Sequence, residues 1–292
     1  MSMPSVEARH AVPDSAIGAE RSRQADAGTG RLEFDCVDSR TVLRRALATS
    51  PLKILSPRPT PSAAWAYLAS FGGGLVGGDA IHVTLDVRSG ARAVVTTQSS
   101  TKVYRSTRPA SHHVIGHVAA DALLVVAPDP TVCFAGSTFR QVQSYFVTDG
   151  GSLVVLDWMT CGRRARGERW LFDGYASRFE LWRGERRALY DATVLTPDDG
   201  GVGERMGRFN VWGTLVMVGP LVQRAAADIV VQTRHLPVES LQALIISASP
   251  LTADGMLLRV AGESVEDVRS LLRTHLGFLR SLLGDEVWGR KW

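Results

Sequence analysis

From about residue 29 to about residue 235, apolar and polar residues alternate mostly with period two. In "IHVTLDV", Ile81, Val83, Leu85 and Val87 fall on one face of an extended chain. "ARAVVTTQ", "ALLVVA", "FRQVQSYFV", "SLVVLDW", "RFELW", "TLVMV" and "DIVVQT" predict further strands, many set apart by Gly, Pro or Asp turn signals. Several follow a glycine (Gly90, Gly151, Gly213, Gly255), but at irregular intervals, so no solenoid period is established. Helical spacing is clearest near the C-terminus. "PVESLQALIISA" aligns Val238, Leu241, Leu244, Ile245 and Ala248 on one stripe and predicts a helix. "SVEDVRSLLRTHLGFLRSLLG" predicts a stronger one, with Ser264 and Asp267 placed as a capping box and Gly284 as its stop. "GMLLRVAG" between them reads as a strand. Residues 1–28, rich in Ala, Ser, Arg and acids without periodicity, read as a disordered tail. Residues 29–292 show no linker and read as a single domain.

A hydrophobic content of 45% and a charged content of 21% suit a soluble globular protein, and no apolar run approaches the roughly 20 residues that span a bilayer. The absence of a compact apolar leader predicts a cytoplasmic protein. Cys36, Cys133 and Cys161 are odd in number and far apart, which favours free or buried thiols over a disulfide framework. The net charge of +4 equals the excess of eight arginines over four acids between Arg163 and Arg187. That segment suits carboxylate-bearing protein partners. Nucleic-acid binding would want a larger charge excess with interleaved aromatics.

The stretch "SFGGGLVGGD" contains Gly72, Gly74 and Gly77 in the spacing G-x-G-x-x-G. A dinucleotide fingerprint follows a strand, opens a helix and meets an acidic residue about 20 positions on. Here the loop leads into the alternating "DAIHVTLDV", and "SGARAVVTT" offers no acid. Glycines so dense instead predict consecutive tight turns with another backbone or another chain pressed against them. Asp79, at the exit of the loop, either meets a passing divalent cation or caps a turn.

Taken in order, "SPLKILSPRP", "SFGGGLVGGD", "TTQSSTKVYRS" (Thr96–Ser106), "DWMTCGRRARGERW" (Asp157–Trp170) and the terminal "GRKW" resemble the signatures of the urease accessory protein UreD (UreH) family. The resemblance covers most of the chain from about residue 30. It implies a mainly β, helically wound, β-helix-like body of many strands with a few α-helices toward the C-terminus. It also implies a non-catalytic metallochaperone scaffold that binds apo-urease and UreF in a 2:2 assembly with UreF, and that works with the GTPase UreG, recruited through UreF. Nickel would be in transit, with no tightly bound cofactor, nucleic acid or membrane partner. The other reading, from a different class, is a nicotinamide-dependent oxidoreductase built on the glycine loop.

Residues of the matching motifs become candidates for interfaces or a nickel route. They are Gly72, Gly73, Gly74, Gly77, Gly78 and Asp79 in the loop; Thr97, Gln98, Lys102, Tyr104 and Arg105 in the second motif; Asp157, Arg163, Arg166, Gly167 and Glu168 in the third; and Trp292 at the end. The Arg163–Arg169 segment reads as a docking or ion-pair element, with Glu168 as a possible internal partner for an arginine. Imidazole suits Ni(II), so His113 and His117, outside those motifs, are weaker metal candidates that share one face in a strand or a helix.

Overall fold

A computed structural model describes residues 28–237 and 241–290. Trp292 and nearly all of the expected tail lie outside the described residues. The first sheet has seven strands in the order β14 (Arg186–Leu195), β13 (Gly174–Arg183), β11 (Thr138–Val147), β8 (Ala110–Val118), β5 (Ala80–Val87), β1 (Gly28–Val37) and β2 (Arg40–Ala48). The second runs β16 (Leu244–Pro250), β17 (Gly255–Gly262), β15 (Val211–Val218), β12 (Ser152–Thr160), β9 (Leu123–Val126), β6 (Arg92–Thr97), β4 (Ala64–Ser70) and β3 (Leu52–Leu55). Two short strands, β7 (Lys102–Val103) and β10 (Thr131–Cys133), extend it from β12. The helices are α1 (Val202–Arg205), α2 (Gln223–Arg234), α3 (Val265–Leu276) and α4 (Leu279–Leu283).

Through the middle of the chain the long strands alternate between the sheets: β4, β6, β9 and β12 in the second, β5, β8, β11 and β13 in the first. Neighbours within each sheet are parallel there, while antiparallel pairs such as β1–β2 and β13–β14 finish the ends. The fold is thus mainly β with four helices among the described residues, and both sheets are open. Sheets stacked on one core, one of them covered on its other face too, explain the two kinds of strand. In the first sheet β5 buries Ile81, Val83, Leu85 and Val87 and leaves the alternate residues half-exposed. In the second, all four residues of β9 are buried, so its sequence is a continuous apolar run.

The molecule therefore has two cores. The one between the sheets holds Leu32, Phe34, Leu85, Val95, Leu124, Leu153 and Tyr145. The other packs the far face of the second sheet, with Trp65, Val125, Leu156 and Leu215, against Ile229, Leu272, Leu276 and Leu283 of the helices. Helix α3 begins at Ser264, whose hydroxyl accepts the Asp267 N–H at 3.3 Å, and α4 ends at Gly284 with φ of 79°.

Two expectations for elements are overturned, and the single helix expected to run to Gly284 is divided into α3 and α4 at residues 277–278. "DIVVQT" belongs to helix α2. Its β-branched run looks strand-like, but Ala226, Ile229 and Val230 are the residues buried, at helical spacing. From Leu244 onward the expected helix of "PVESLQALIISA" is strand β16, antiparallel to β17; residues 238–240 lie outside the described residues. Leu244, Ile246 and Ala248 also obey period two, and packing of those three against the helical core selects that period.

Candidate functional site

The glycine loop, the Thr101–Ser106 part of the second motif and the Arg163–Arg169 segment meet at one corner of the molecule. After β4, the chain turns through Gly72, Gly73 and Gly78, with φ of 80°, 73° and 93°, a region that disfavours side-chain-bearing residues. Leu75 N–H donates to Lys102 O at 2.7 Å and Tyr104 N–H returns to Leu75 O at 2.9 Å, so the loop is pressed backbone to backbone on the second motif. Gly74 and Gly77 are the points of closest approach. A Cβ on Gly74 would lie 2.6 Å from the Tyr104 ring, and one on Gly77 would collide with the Ser106 side chain. Asp79 Oδ2 accepts the Val76 N–H at 2.9 Å, which is the turn-capping arrangement. The loop then enters strand β5, not a helix. The geometry a dinucleotide site needs is therefore missing, and the nicotinamide reading is not supported.

The next layers stack on this one. Val132 N–H and Phe134 N–H donate to Thr101 O and Val103 O at 2.8 and 3.0 Å. Tyr104 meets Phe134 edge to face at 5.2 Å, and the Arg105 side chain lies along Gly136. The Arg163 guanidinium also packs on Phe134, 4.0 Å from the ring centre. Arg163 also grips Glu168 with two hydrogen bonds, and those bonds hold the Glu168 carboxyl below its ordinary pKa. Glu168 is thus an arginine's internal partner, and its Oε2 also accepts the Ala135 N–H at 3.3 Å. Gly167 closes the turn with φ of 75°, while Arg166 and Lys102 are exposed. Arg169, at the end of the expected docking or ion-pair element, ties this segment to the 203–210 turn through Asn210 Oδ1 at 2.7 Å and the carbonyls of Gly203, Gly207 and Phe209. Phe71, Val76 and Leu171 leave more than half of their surface exposed around the corner.

Asp157 departs from that group. It points between the sheets, on the same parity of β12 as Leu153 and Val155. Its Oδ2 accepts Gln141 Nε2 at 2.7 Å, Gln143 Nε2 at 3.2 Å and the Ser177 hydroxyl at 3.4 Å. The Tyr145 hydroxyl donates to Gln143 Oε1 at 2.9 Å. Burial raises the Asp157 pKa, and these hydrogen bonds oppose the rise. A cavity of about 50 Å³ reaches this cluster, lined also by Thr97, Thr101 and His112. A second cavity, about 100 Å³, shares Leu68, Thr97, Thr101 and His112 with it and opens toward Gln98, Ser99 and Ser100. Gln98 and Ser99 are exposed. Thr97 is fixed by exchange of hydrogen bonds with Asp129. Thus two cavities with shared walls lie between the exposed Gln98–Ser99 segment and a half-buried carboxylate; His112, which lines both, has its pKa pushed down to about 4, first by burial and then by His113 and His82.

His112, Gln141 and Gln143 escaped the sequence reading. The signal was parity: in "FRQVQSYFV" the two glutamines share the inward face with Phe139 and Tyr145. In "ASHHVIGHV", His112 shares it with Ala110 and Val114. His113 and His117 point the other way. His113 lies 4.6 Å from the His82 ring, whereas His117 stacks on Phe146 at 5.2 Å. Four strand residues separate them by roughly 13 Å, too far to share a metal ion. Among the described residues, no group of three or more His, Cys, Asp or Glu is placed to hold a metal. Cys133 and Cys161 are buried in the core, and burial pushes the Cys133 thiol up to about 12. No helix is long and apolar enough to cross a membrane among the described residues.

Sequence comparison agrees with the family resemblance of the motifs. The profile of the UreD urease accessory protein family matches residues 26–292. The urease accessory protein UreD of Sorangium cellulosum is 49% identical over 270 residues, covering 92% of this chain and 86% of its own length. That of Anaeromyxobacter sp. is 40% identical, over 90% and 89% of the two chains. Urease accessory protein D of Oryza sativa subsp. indica is 33% identical, over 89% and 95%. The chain belongs to the UreD family of urease accessory proteins.

Proposed function

We propose that this member of the UreD family is a non-catalytic scaffold in urease maturation, binding apo-urease and UreF and, with UreG, supporting delivery of nickel to the urease active site. The single observation that carries the reading is the pair of adjoining cavities running from Gln98–Ser100 to Asp157. Hydroxyls of Thr97 and Thr101, the His112 imidazole, the amides of Gln141 and Gln143 and the Asp157 carboxylate line it in turn. Such groups offer a divalent ion successive weak contacts. Transit needs this, because a dedicated set of strong ligands would hold the ion. Asp157 is already engaged by three donors, so it supplies negative potential more than a vacant coordination site.

The corner with exposed Phe71, Val76 and Leu171 among arginines has the composition of a protein interface. We take the alternation of parallel strands between the sheets as a short β-helical winding, whose stacked turns hold that corner rigid. The protein acts in the cytoplasm in this reading, as a 2:2 assembly with UreF. The test is the nickel content of urease purified after co-expression with UreF and UreG, with and without this chain. A sharp loss of nickel without the chain is expected; equal loading would overturn the proposal.

A further inference from the structure

Beside the mouth at Gln98–Ser100 lies a cleft of about 330 Å³ that the cavity pathway does not use. Its base is built from two indoles. Trp158 Nε1 donates to Pro128 O at 2.9 Å and Trp288 Nε1 to Ala127 O at 3.0 Å, so consecutive carbonyls fix both rings. Arg269 and Arg273 line the cleft from helix α3. Being four residues apart, they rise from one face with Cβ atoms roughly 6 Å apart. The Arg269 guanidinium lies 6.0 Å from the Trp158 ring centre. Among the described residues, neither arginine has a hydrogen-bond or ion-pair partner. Across Gln98, which lines both, a second recess of about 430 Å³ contains Tyr67 and Arg290. The Tyr67 hydroxyl and Arg290 Nη1 are buried without a hydrogen-bond partner, and Arg290 stacks 5.2 Å from the Trp65 ring centre.

Arg290 Nε is held by Asp285 at 3.7 Å, which leaves its Nη1 as the unpartnered end. Two unused guanidinium forks beside fixed indoles, with this third arginine across one exposed amide, suit carboxylates spaced along an extended chain. A single phosphate group can occupy only one such site at a time. A peptide can instead place one carboxylate on each arginine site and keep its backbone near Gln98. We propose that this groove is a docking site for an acidic, extended segment of a partner protein. The inference stands on the arginines and indoles and does not depend on the passage of nickel.

The probe is a fluorescently labelled peptide of alternating glutamate and alanine with blocked ends, titrated into the full chain by anisotropy. Saturable binding is expected, weakening as salt rises past physiological strength, about 0.15 M. Arg269→Glu with Arg273→Glu is expected to weaken it by at least about tenfold, which is ~1.4 kcal/mol, with circular dichroism and Tm unchanged. Arg273→Lys, a gentler change, is expected to give an intermediate loss because the charge stays and the planar fork goes. Failure of the peptide to saturate, or equal affinity in the double variant, would overturn the proposal. So would displacement of the peptide by inorganic pyrophosphate at a lower concentration than unlabelled peptide requires, because the groove would then be a phosphate site.

Discussion

The two cores differ in kind. The one between the second sheet and the helices is hydrocarbon and aromatic surface, with leucines of α3 and α4 closing over β12, β15 and β17. The one between the sheets encloses Asp157, His112, Gln141 and Gln143, and keeps room beside them. The first needs no reason beyond stability. A half-buried carboxylate and a half-buried imidazole work against stability, so packing alone does not account for the second core. Asking which core tolerates substitution, and at what cost, separates holding the fold from doing the work.

The largest effect is expected where packing is the only role. Leu272→Ala opens a cavity in the helical core and should cost about 2–5 kcal/mol by urea unfolding. Loss of urease nickel loading should follow only as far as the folded protein is lost. A loss of loading without loss of stability would blur the distinction between the cores.

The next effect depends on acid. His112 titrates near 4 in the folded chain and near 6.5 unfolded, so below 6.5 the unfolded state takes up the proton first. Its contribution therefore falls as pH drops from about 6.5 to about 4, by roughly 3 kcal/mol over the whole window. His112→Gln should flatten that limb of the stability–pH curve. An unchanged limb would place the acid sensitivity elsewhere.

Asp157 carries the smallest effect on stability and the opposite sign. Burial raises its pKa, so the folded state is favoured while the carboxyl is protonated, and stability falls as pH rises through the raised value. Asp157→Asn should therefore leave the neutral-pH protein as stable as the wild type or more stable, by about 1 kcal/mol, while lowering urease nickel content in co-expression. If nickel loading is untouched, the polar core is not part of a route.

The sequence made much of this legible. Alternation in "IHVTLDV" and the capped leucine stripe after Ser264 are local patterns, and the structure keeps both. The glycine loop is also readable, since it runs into an alternating strand, which argues against a nucleotide site. What failed were short apolar segments that fit two periods, as in α2 and β16, where tertiary packing decides. The inner site was harder. Asp157 belongs to a legible motif, but its partners Gln141 and Gln143 sit on β11, the preceding strand, which lies in the facing sheet. Parity alone announces them, and only once the inward face of β11 is known.

One feature of the strand order bears on how the chain acquires its shape. In the first sheet Ile81 is matched with His112, and Gln141 with both His112 and Ser177, each time across a segment that has visited the opposite sheet. No parallel pair there can zip up from a local turn. Every one must await closure of a long loop, an entropic cost met before the contact returns anything. Such a chain folds slowly and passes through forms with bare strand edges, which stick to one another as concentration rises. Yield of this protein is therefore governed by the lifetime of those unfinished forms, and lower temperature or slower synthesis should improve it more than any added contact in the finished structure.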